Sequence, residues 1–163
     1  MKIIALIPSR SGSQRILDKN IKKLNKKPLL YYSIKSALDS KIFSKVVVST
    51  DSKKYAKIAN LYGAETPFLR PKKFSKSTSP DYEWVNHALQ FYKKKGDIFD
   101  LFFILRPTNP FRTKQTISRA FKIFKKNKCD SLRAVELCKQ HPYKMWEIKN
   151  NKLKPYENLK IQG

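Results

Sequence analysis

The sequence has few cysteines and no long hydrophobic run, and these absences exclude several classes of protein. Its two cysteines, Cys129 and Cys138, have neither metal-ligand spacing nor the density of a disulfide scaffold. We therefore expect free thiols in a reduced compartment. The first apolar run ends at Pro8, so it is shorter than the ~7–15-residue core of a signal peptide and the ~20 residues of a membrane span. These features predict a cytoplasmic protein that has no membrane partner.

Acidic residues are also scarce: the chain has 12 of them beside 36 lysines and arginines, for a net charge of +24. Such a charge is typical of proteins that bind nucleic acid, an anionic membrane or a phosphorylated ligand. Only seven of the basic residues are arginine, however, and planar bidentate recognition of phosphates and bases favours arginine. The lysine excess indicates codon bias, and we interpret most of the charge as solvated surface rather than a specific nucleic-acid interface.

Short runs of β-branched and other apolar residues predict three buried parallel strands. They cover residues 2–7, 45–50 and 100–105, and each is too short and too continuously apolar for a half-exposed antiparallel strand. Residues 130–137 predict a further strand. Segments of helical period lie between the strands, and this alternation predicts an α/β fold with a mainly parallel sheet and helices on both faces. Ligands collect at the carboxyl ends of the strands in such folds.

Capping residues predict where several helices begin and end. Ser79 and Pro80 are typical N-cap and first-turn residues, and Asp51 is expected to cap the helix that follows it. Gly63 fits the position just past a helix end. A further helix is expected after Thr113.

Glycine is rare, with only four in the chain, and this limits the kinds of phosphate loop that the sequence contains. Residues 9–13, which follow the first predicted strand, are mostly serine and glycine and would let backbone N–H groups approach a phosphate. Arg10 and Lys19 could neutralise its charge. The loop is neither a Walker loop nor a dinucleotide-binding loop, because Gly12 stands alone. A phosphate site and an ordinary basic surface loop both remain open from spacing alone.

A set of ordered motifs is more specific than this loop. The segments are IPSRSGSQRILDKNI, KPLLYYSIKSAL, VVVSTD, GAETPFLRP, STSPDYEWVNHAL, LRPTNPFR and HPYKMW. Their order and spacing resemble the acylneuraminate cytidylyltransferase family, which contains the CMP-sialic acid synthetases and their legionaminic and pseudaminic acid relatives. The resemblance implies a Rossmann-like, GT-A-like three-layer nucleotidyltransferase with one catalytic domain over residues 1–163. In such an enzyme the anomeric hydroxyl of a nine-carbon 2-keto sugar acid attacks the α-phosphorus of CTP and releases pyrophosphate, with Mg²⁺ as cofactor.

The resemblance also implies roles for individual residues. Arg10 and Lys19 would be the catalytic charges, since nucleotidyl transfer depends on positioning and charge neutralisation and needs no Ser-His-Asp set. The nucleotide would contact Arg10, Ser11, Gly12, Ser13, Lys19, Asn20, Arg70, Thr78, Ser79 and Asp81. The sugar acid would contact Arg106, Thr108, Asn109, Arg112 and His141. A guanidinium suits the sugar carboxylate because two parallel N–H donors match two oxygens.

Other interpretations stay open from the sequence. A related nucleotidyltransferase could use another sugar or base, such as 3-deoxy-manno-octulosonate, and some sialic acid enzymes carry glutamine at the position of Arg106. A basic nucleic-acid-binding protein is the third class, and its affinity would fall steeply with salt. His87 is expected to be packed within its helix, and Trp84 and Trp146 to lie in the core.

The sequence also lacks an obvious carboxylate site for Mg²⁺, because the chain has no D-x-D pair and no acidic cluster. Asp51 is best placed by its position at a strand end, but its expected helix cap competes with that role. The resemblance implies that the metal-binding aspartates and the dimerisation segment of the family lie beyond Gly163. We therefore expect the natural protein to be longer and a homodimer, and the 163-residue chain alone to form little or no CMP-sugar.

Overall fold

The computed structural model describes residues 1–135, 137, 146–150 and 152–155. The chain divides into two compact units, residues 1–128 and 129–163. In the part of the chain that the structure describes, no helix has the length and apolar character needed to cross a membrane. The assignment of all 163 residues to one catalytic domain stays a prediction.

The first unit alternates strands and helices as predicted. Its strands are β1 (Ile3–Pro8), β2 (Lys23–Leu24), β3 (Lys27–Pro28), β4 (Lys45–Ser49) and β5 (Leu101–Ile104). Its helices are α1 (Leu29–Ser40), α2 (Lys53–Leu61), α3 (Asp81–Lys93) and α4 (Lys114–Asn127), with short 3₁₀ turns at Lys19–Ile21 and Lys72–Phe74. The three strands expected from apolar runs are therefore confirmed.

The central sheet is parallel and has the order β4-β1-β5. Its register places Leu6 beside Val47 on one side and beside Ile104 on the other. All three strands therefore end at the same edge, and the loops that follow them leave the sheet close together. The tiny β2-β3 ladder is a separate antiparallel pair.

The core lies on both faces of this sheet because side chains alternate along β1. Ala5 and Ile7 pack in a cluster with residues of α1, α2 and α4, whereas Ile4 and Leu6 pack in a second cluster with residues of α3. Each of these four side chains is fully buried, and burial of an isoleucine or leucine side chain contributes about 1.5–3 kcal/mol. The result is the predicted α/β arrangement with helices on both faces of a parallel sheet.

Two of the expected helix caps are wrong. Ser52, rather than Asp51, caps α2, because its Oγ accepts a hydrogen bond from the Tyr55 backbone N–H at 3.4 Å. Helix α3 begins at Asp81, and Pro80 occupies its N-cap position without a side-chain cap. The Ser79 hydroxyl lies in the preceding loop, where it donates to the Lys73 carbonyl at 3.0 Å.

The other two boundary predictions are confirmed. Thr113 caps α4 by accepting a hydrogen bond from the Thr116 backbone N–H. Gly63 follows α2 with φ of 89°, a left-handed conformation that favours glycine. A Cβ at Gly63 would also lie 3.2 Å from the Leu38 side chain, so the chain turns there in limited space.

The second unit contains an antiparallel hairpin of β6 (Trp146–Lys149) and β7 (Lys152–Pro155). The strand predicted over residues 130–137 is wrong: residues 130–135 and 137 form no strand. Val135 and Leu137 are largely exposed, so apolar burial does not stabilise a ladder there. The expected core position of the Trp146 side chain and the whole of His141 lie outside what the structure describes.

Candidate active site

The carboxyl ends of β1 and β5 open into a cleft of about 280 Å³. Its lining comprises Pro8, Arg10, Ser13, Lys19, Asn20, Arg70, Phe74, Lys76, Ser77, Ser79, Asp81, Trp84, Arg106, Pro107 and Thr108. Five of these residues are basic and one is acidic, so the cleft is suited to an anion. A second depression, of about 500 Å³ between α1 and α4, contains none of the predicted site residues.

The loop after β1 is held at its start by Asp51. The Ser11 backbone N–H and the Ser11 hydroxyl donate to the two oxygens of the Asp51 carboxylate, each at 2.8 Å. The Asn20 side-chain amide then donates to the Arg10 carbonyl at 3.3 Å and is almost fully buried. Ser11 and Asp51 therefore shape the loop, while Arg10 and Asn20 line the cleft.

Lys19 is the cation of this loop that is best placed to bind a ligand. Its side chain lines the cleft, and within residues 1–135 and the described hairpin it forms no ion pair. Among the described residues, the Arg10 guanidinium donates one long hydrogen bond, 3.5 Å, to the Ser75 carbonyl. Both charges are thus available to a phosphate without first breaking an ion pair.

Arg70 is a buried cation fixed by the end of β4. It is 5% exposed, and its Nε and one terminal nitrogen donate to the Ser49 hydroxyl at 3.0 Å and the Ser49 carbonyl at 2.6 Å. Its guanidinium lies over the Trp84 ring at 5.0 Å. Burial lowers the pKa of Arg70 to about 10, and the charges of Asp51 and Asp81 oppose this effect. The side chain therefore stays protonated at neutral pH and adds a fixed positive charge to the cleft wall.

Asp81 connects Trp84, which packs against Arg70, to Arg106 in the loop after β5. One carboxylate oxygen accepts a hydrogen bond from the Trp84 indole at 2.9 Å, and the other forms an ion pair with Arg106. Arg106 follows β5 and is half-exposed, so it can meet a ligand in the cleft. The Arg112 guanidinium donates to the Arg106 carbonyl at 3.3 Å, and burial lowers the pKa of Arg112.

The structure brings together most, but not all, of the predicted contact residues. Those that line the cleft are Arg10, Ser13, Lys19, Asn20, Arg70, Ser79, Asp81, Arg106 and Thr108. Those that do not line it are Ser11, Gly12, Thr78, Asn109 and Arg112. His141 lies outside the described residues, and the ligand roles of all these residues stay predictions.

Six residues of the lining were not among the predicted contacts: Pro8, Phe74, Lys76, Ser77, Trp84 and Pro107. Lys76 and Ser77 directly precede the predicted segment 78–81, so extending that segment by two residues would have found them. Trp84 was correctly placed in the core at 2% exposure, but it also contributes to the cleft wall. Phe74 carries no signal that distinguishes it from a core residue.

The described residues do not fit a Mg²⁺ site by themselves. Asp81 is the one carboxylate in the cleft lining, and both of its oxygens are already engaged by Trp84 and Arg106. Asp51 is occupied by Ser11. Throughout the described ranges, no group of three or more His, Cys, Asp or Glu side chains is arranged to hold a metal ion.

Comparison with known proteins places this geometry in a family. A family model described as Cytidylyltransferase matches residues 4–160. The N-acylneuraminate cytidylyltransferase of Escherichia coli O18:K1:H7 is 43% identical over 123 residues, which are 76% of this chain and 28% of that protein. The CMP-N,N'-diacetyllegionaminic acid synthase of Legionella pneumophila is 41% identical over 125 residues, 77% of this chain and 54% of that protein.

A third relative, the pseudaminic acid cytidylyltransferase of Campylobacter jejuni serotype O:2, is 37% identical over 127 residues, 78% of this chain and 55% of that protein. The chain therefore spans at most 55% of the length of these three relatives. Each relative is longer than the region that it shares with this chain.

Solved structures share the fold at lower sequence identity. CMP:2-keto-3-deoxy-manno-octonic acid synthetase complexed with CTP has a TM-score of 0.65 at 16% identity, covering 78% of this chain and 49% of its own. A cytidylyltransferase from Leptospira borgpetersenii has a TM-score of 0.59 at 21% identity, covering 78% and 50%. These likenesses confirm the Rossmann-like α/β fold. Because the family model spans residues 4–160, the chain belongs to the cytidylyltransferase family.

Proposed function

We propose that this chain carries the nucleotide and sugar-acid sites of an enzyme that transfers CMP from CTP to the anomeric hydroxyl of a nine-carbon 2-keto sugar acid, releasing pyrophosphate. The observation that carries the proposal is the strongly basic cleft at the carboxyl ends of β1 and β5. The proteins with 37–43% identity named above are cytidylyltransferases or a CMP-sugar synthase for acids of this type.

The chemistry assigned to the loop after β1 is charge neutralisation. Attack on the α-phosphorus moves negative charge onto the departing pyrophosphate, and fixed cations stabilise that charge more than they stabilise the bound triphosphate. Lys19 and Arg10 would supply those cations, and neither forms an ion pair with another of the described residues. One such contact contributes about 2–4 kcal/mol to the transition state.

The loop after β5 is assigned to the sugar acid. Arg106 and Thr108 lie on the loop after β5 and both line the cleft. Arg106 would bind the sugar carboxylate through the N–H groups that Asp81 leaves free, and the Thr108 hydroxyl would contact a polar substituent. Arg70, Ser79 and Asp81 also line the cleft, and the family resemblance assigns them to the cytidine.

Several finer assignments stay predictions. Mg²⁺ is proposed as the cofactor on family resemblance, with its ligands outside the described cleft. A homodimer and a cytoplasmic location are proposed as well. Selection of a sialic-type acid over 3-deoxy-manno-octulosonate is assigned to the loops of residues 70–81 and 106–112.

A salt series separates the enzyme from a basic nucleic-acid-binding protein. Calorimetric titration of the purified chain with CTP, and in parallel with a short random DNA duplex, would be run from about 50 mM to about 200 mM salt. We expect CTP binding to survive the higher salt while any DNA binding falls at least a hundredfold. DNA binding that persists while CTP binding is undetectable would overturn the proposal.

A further inference from the structure

Asp18 closes the turn that contains two residues of the cleft. It has a left-handed backbone conformation, with φ of 52° and ψ of 30°, which L side chains rarely adopt. Its carbonyl accepts hydrogen bonds from the backbone N–H groups of Ile21 at 2.9 Å and Lys22 at 3.0 Å. These bonds close the turn that contains Lys19 and Asn20, both of which line the cleft.

The side chain of Asp18 is held by α2. The Tyr55 hydroxyl donates to one carboxylate oxygen at 2.8 Å, and the Lys54 ammonium donates to the other at 3.3 Å. Tyr55 is fully buried, so its ring is fixed in the core, whereas the Lys54 side chain is 65% exposed. An exposed ion pair contributes little, and Tyr55 is therefore the stronger restraint. The Tyr55 hydrogen bond, followed by that of Lys54, also lowers the pKa of Asp18.

We propose that Tyr55 and Asp18 are positioning residues that fix the turn of Lys19 and Asn20 for binding the triphosphate. The inference rests on the proposed function, because CTP is the ligand assigned to this loop. The two residues act in series: the buried ring fixes the hydroxyl, the hydroxyl fixes the carboxylate, and the carboxylate retains the left-handed backbone. Neither Tyr55 nor Asp18 lines the cleft itself.

The chain provides a matched control for Tyr55. Tyr92 is also almost fully buried, and its hydroxyl also donates to a carboxylate, that of Glu65, at 3.1 Å. Tyr55→Phe and Tyr92→Phe each remove one hydroxyl and retain a buried ring. We expect similar decreases in thermal stability, but only Tyr55→Phe should weaken CTP binding, by about five- to tenfold. Only Tyr55→Phe should also accelerate hydrogen exchange of the amides of residues 19–22.

A second pair of variants separates backbone positioning from charge. Asp18→Asn keeps a hydrogen-bond acceptor and a residue type that tolerates the left-handed conformation, whereas Asp18→Ala keeps neither. Both variants remove the same negative charge. We expect Asp18→Asn to bind CTP at least fivefold more tightly than Asp18→Ala.

Two results would overturn the inference. One is equal CTP affinity and equal amide exchange in Tyr55→Phe and Tyr92→Phe, and the other is equal affinity in the two Asp18 variants. If the unmodified chain does not bind CTP, the proposed function fails. The amide-exchange comparison, which needs no ligand, then still decides whether Tyr55 positions this turn.

Discussion

The Asp81 carboxylate joins the beginning of α3 to the loop after β5, because one oxygen accepts from the Trp84 indole and the other pairs with Arg106. The indole in turn lies against the buried Arg70 guanidinium. The two walls of the cleft are therefore linked through a single carboxylate. A sugar carboxylate that binds Arg106 must share that guanidinium with Asp81.

Arg106→Gln tests the assignment of this arginine to the sugar acid. We predict an about tenfold loss of affinity for the sugar acid and a less than twofold change for CTP, because a charge-assisted contact is lost on one wall only. Calorimetric titration with each ligand would measure both effects. Arg119→Gln, on α4 outside the cleft, is the control. Equal losses for the two ligands would mean that Arg106 serves the fold or the nucleotide.

Lys19→Ala tests the phosphate assignment of the loop after β1. We predict that CTP affinity falls by about 1.5–3 kcal/mol, because a cation that lines the cleft and can donate to a charged phosphate is removed. Lys22→Ala removes the same charge from an exposed position that does not line the cleft, and should change affinity by less than about 0.5 kcal/mol. Similar affinities for the two variants would exclude Lys19 from the site.

Much of the fold could be predicted from the sequence, since the apolar runs of β1, β4 and β5 are local signals. The expected cap of α2 failed because Asp51, a good cap by residue type, is used by Ser11 in a contact across 40 positions of sequence. No local pattern reports such a tertiary hydrogen bond. The strand expected over residues 130–137 failed for a related reason, since strand formation depends on neighbours that the pattern does not show.

Most of the side chains that line the cleft were named from the sequence motifs. The contacts that hold those side chains in place were not predicted. Arg10, Lys19 and Arg106 lie in loops that follow strands, so the topology alone brings them together. Tyr55 has the same helical spacing in the sequence as the other core residues of α2. Its hydroxyl contact with Asp18 is visible only in the folded structure. A residue that positions another side chain through a tertiary hydrogen bond produces no recognisable pattern in the sequence.

Asp51→Ala is predicted to destabilise the fold by about 1.5–3 kcal/mol, because the Ser11 N–H and hydroxyl lose a charged acceptor. Chemical denaturation would measure the change in unfolding free energy. Asp39→Ala is the control, since it breaks only the exposed Lys35–Asp39 pair within α1, which contributes about 0.3–0.5 kcal/mol. Equal losses in the two variants would show that Asp51 does not anchor the loop.

The burial of His87 predicts that the free energy of unfolding depends on pH. Its ring packs edge-on against Phe68 with centroids 4.8 Å apart, and burial, followed by the charge of Arg70, lowers its pKa below 6.5. The unfolded chain therefore binds this proton more readily, so stability present above pH 6.5 is lost as the pH falls through the folded-state pKa. We predict a lower denaturation midpoint at about pH 5 than at about pH 7.5. His87→Phe should show a smaller decrease, and an unchanged decrease would exclude His87 as its source.

Nucleotide selectivity is the sharpest test of the proposed function, because a cytidylyltransferase must distinguish cytosine from the other bases. The measurement is the thermal stability of the purified chain with CTP, UTP, GTP and ATP in turn, each with Mg²⁺. A ligand at a hundredfold excess over its dissociation constant stabilises the folded state by about 2.7 kcal/mol. We predict that CTP raises the melting temperature by several degrees and that the other three raise it much less. Equal shifts for all four nucleotides, or no shift with CTP, would contradict it.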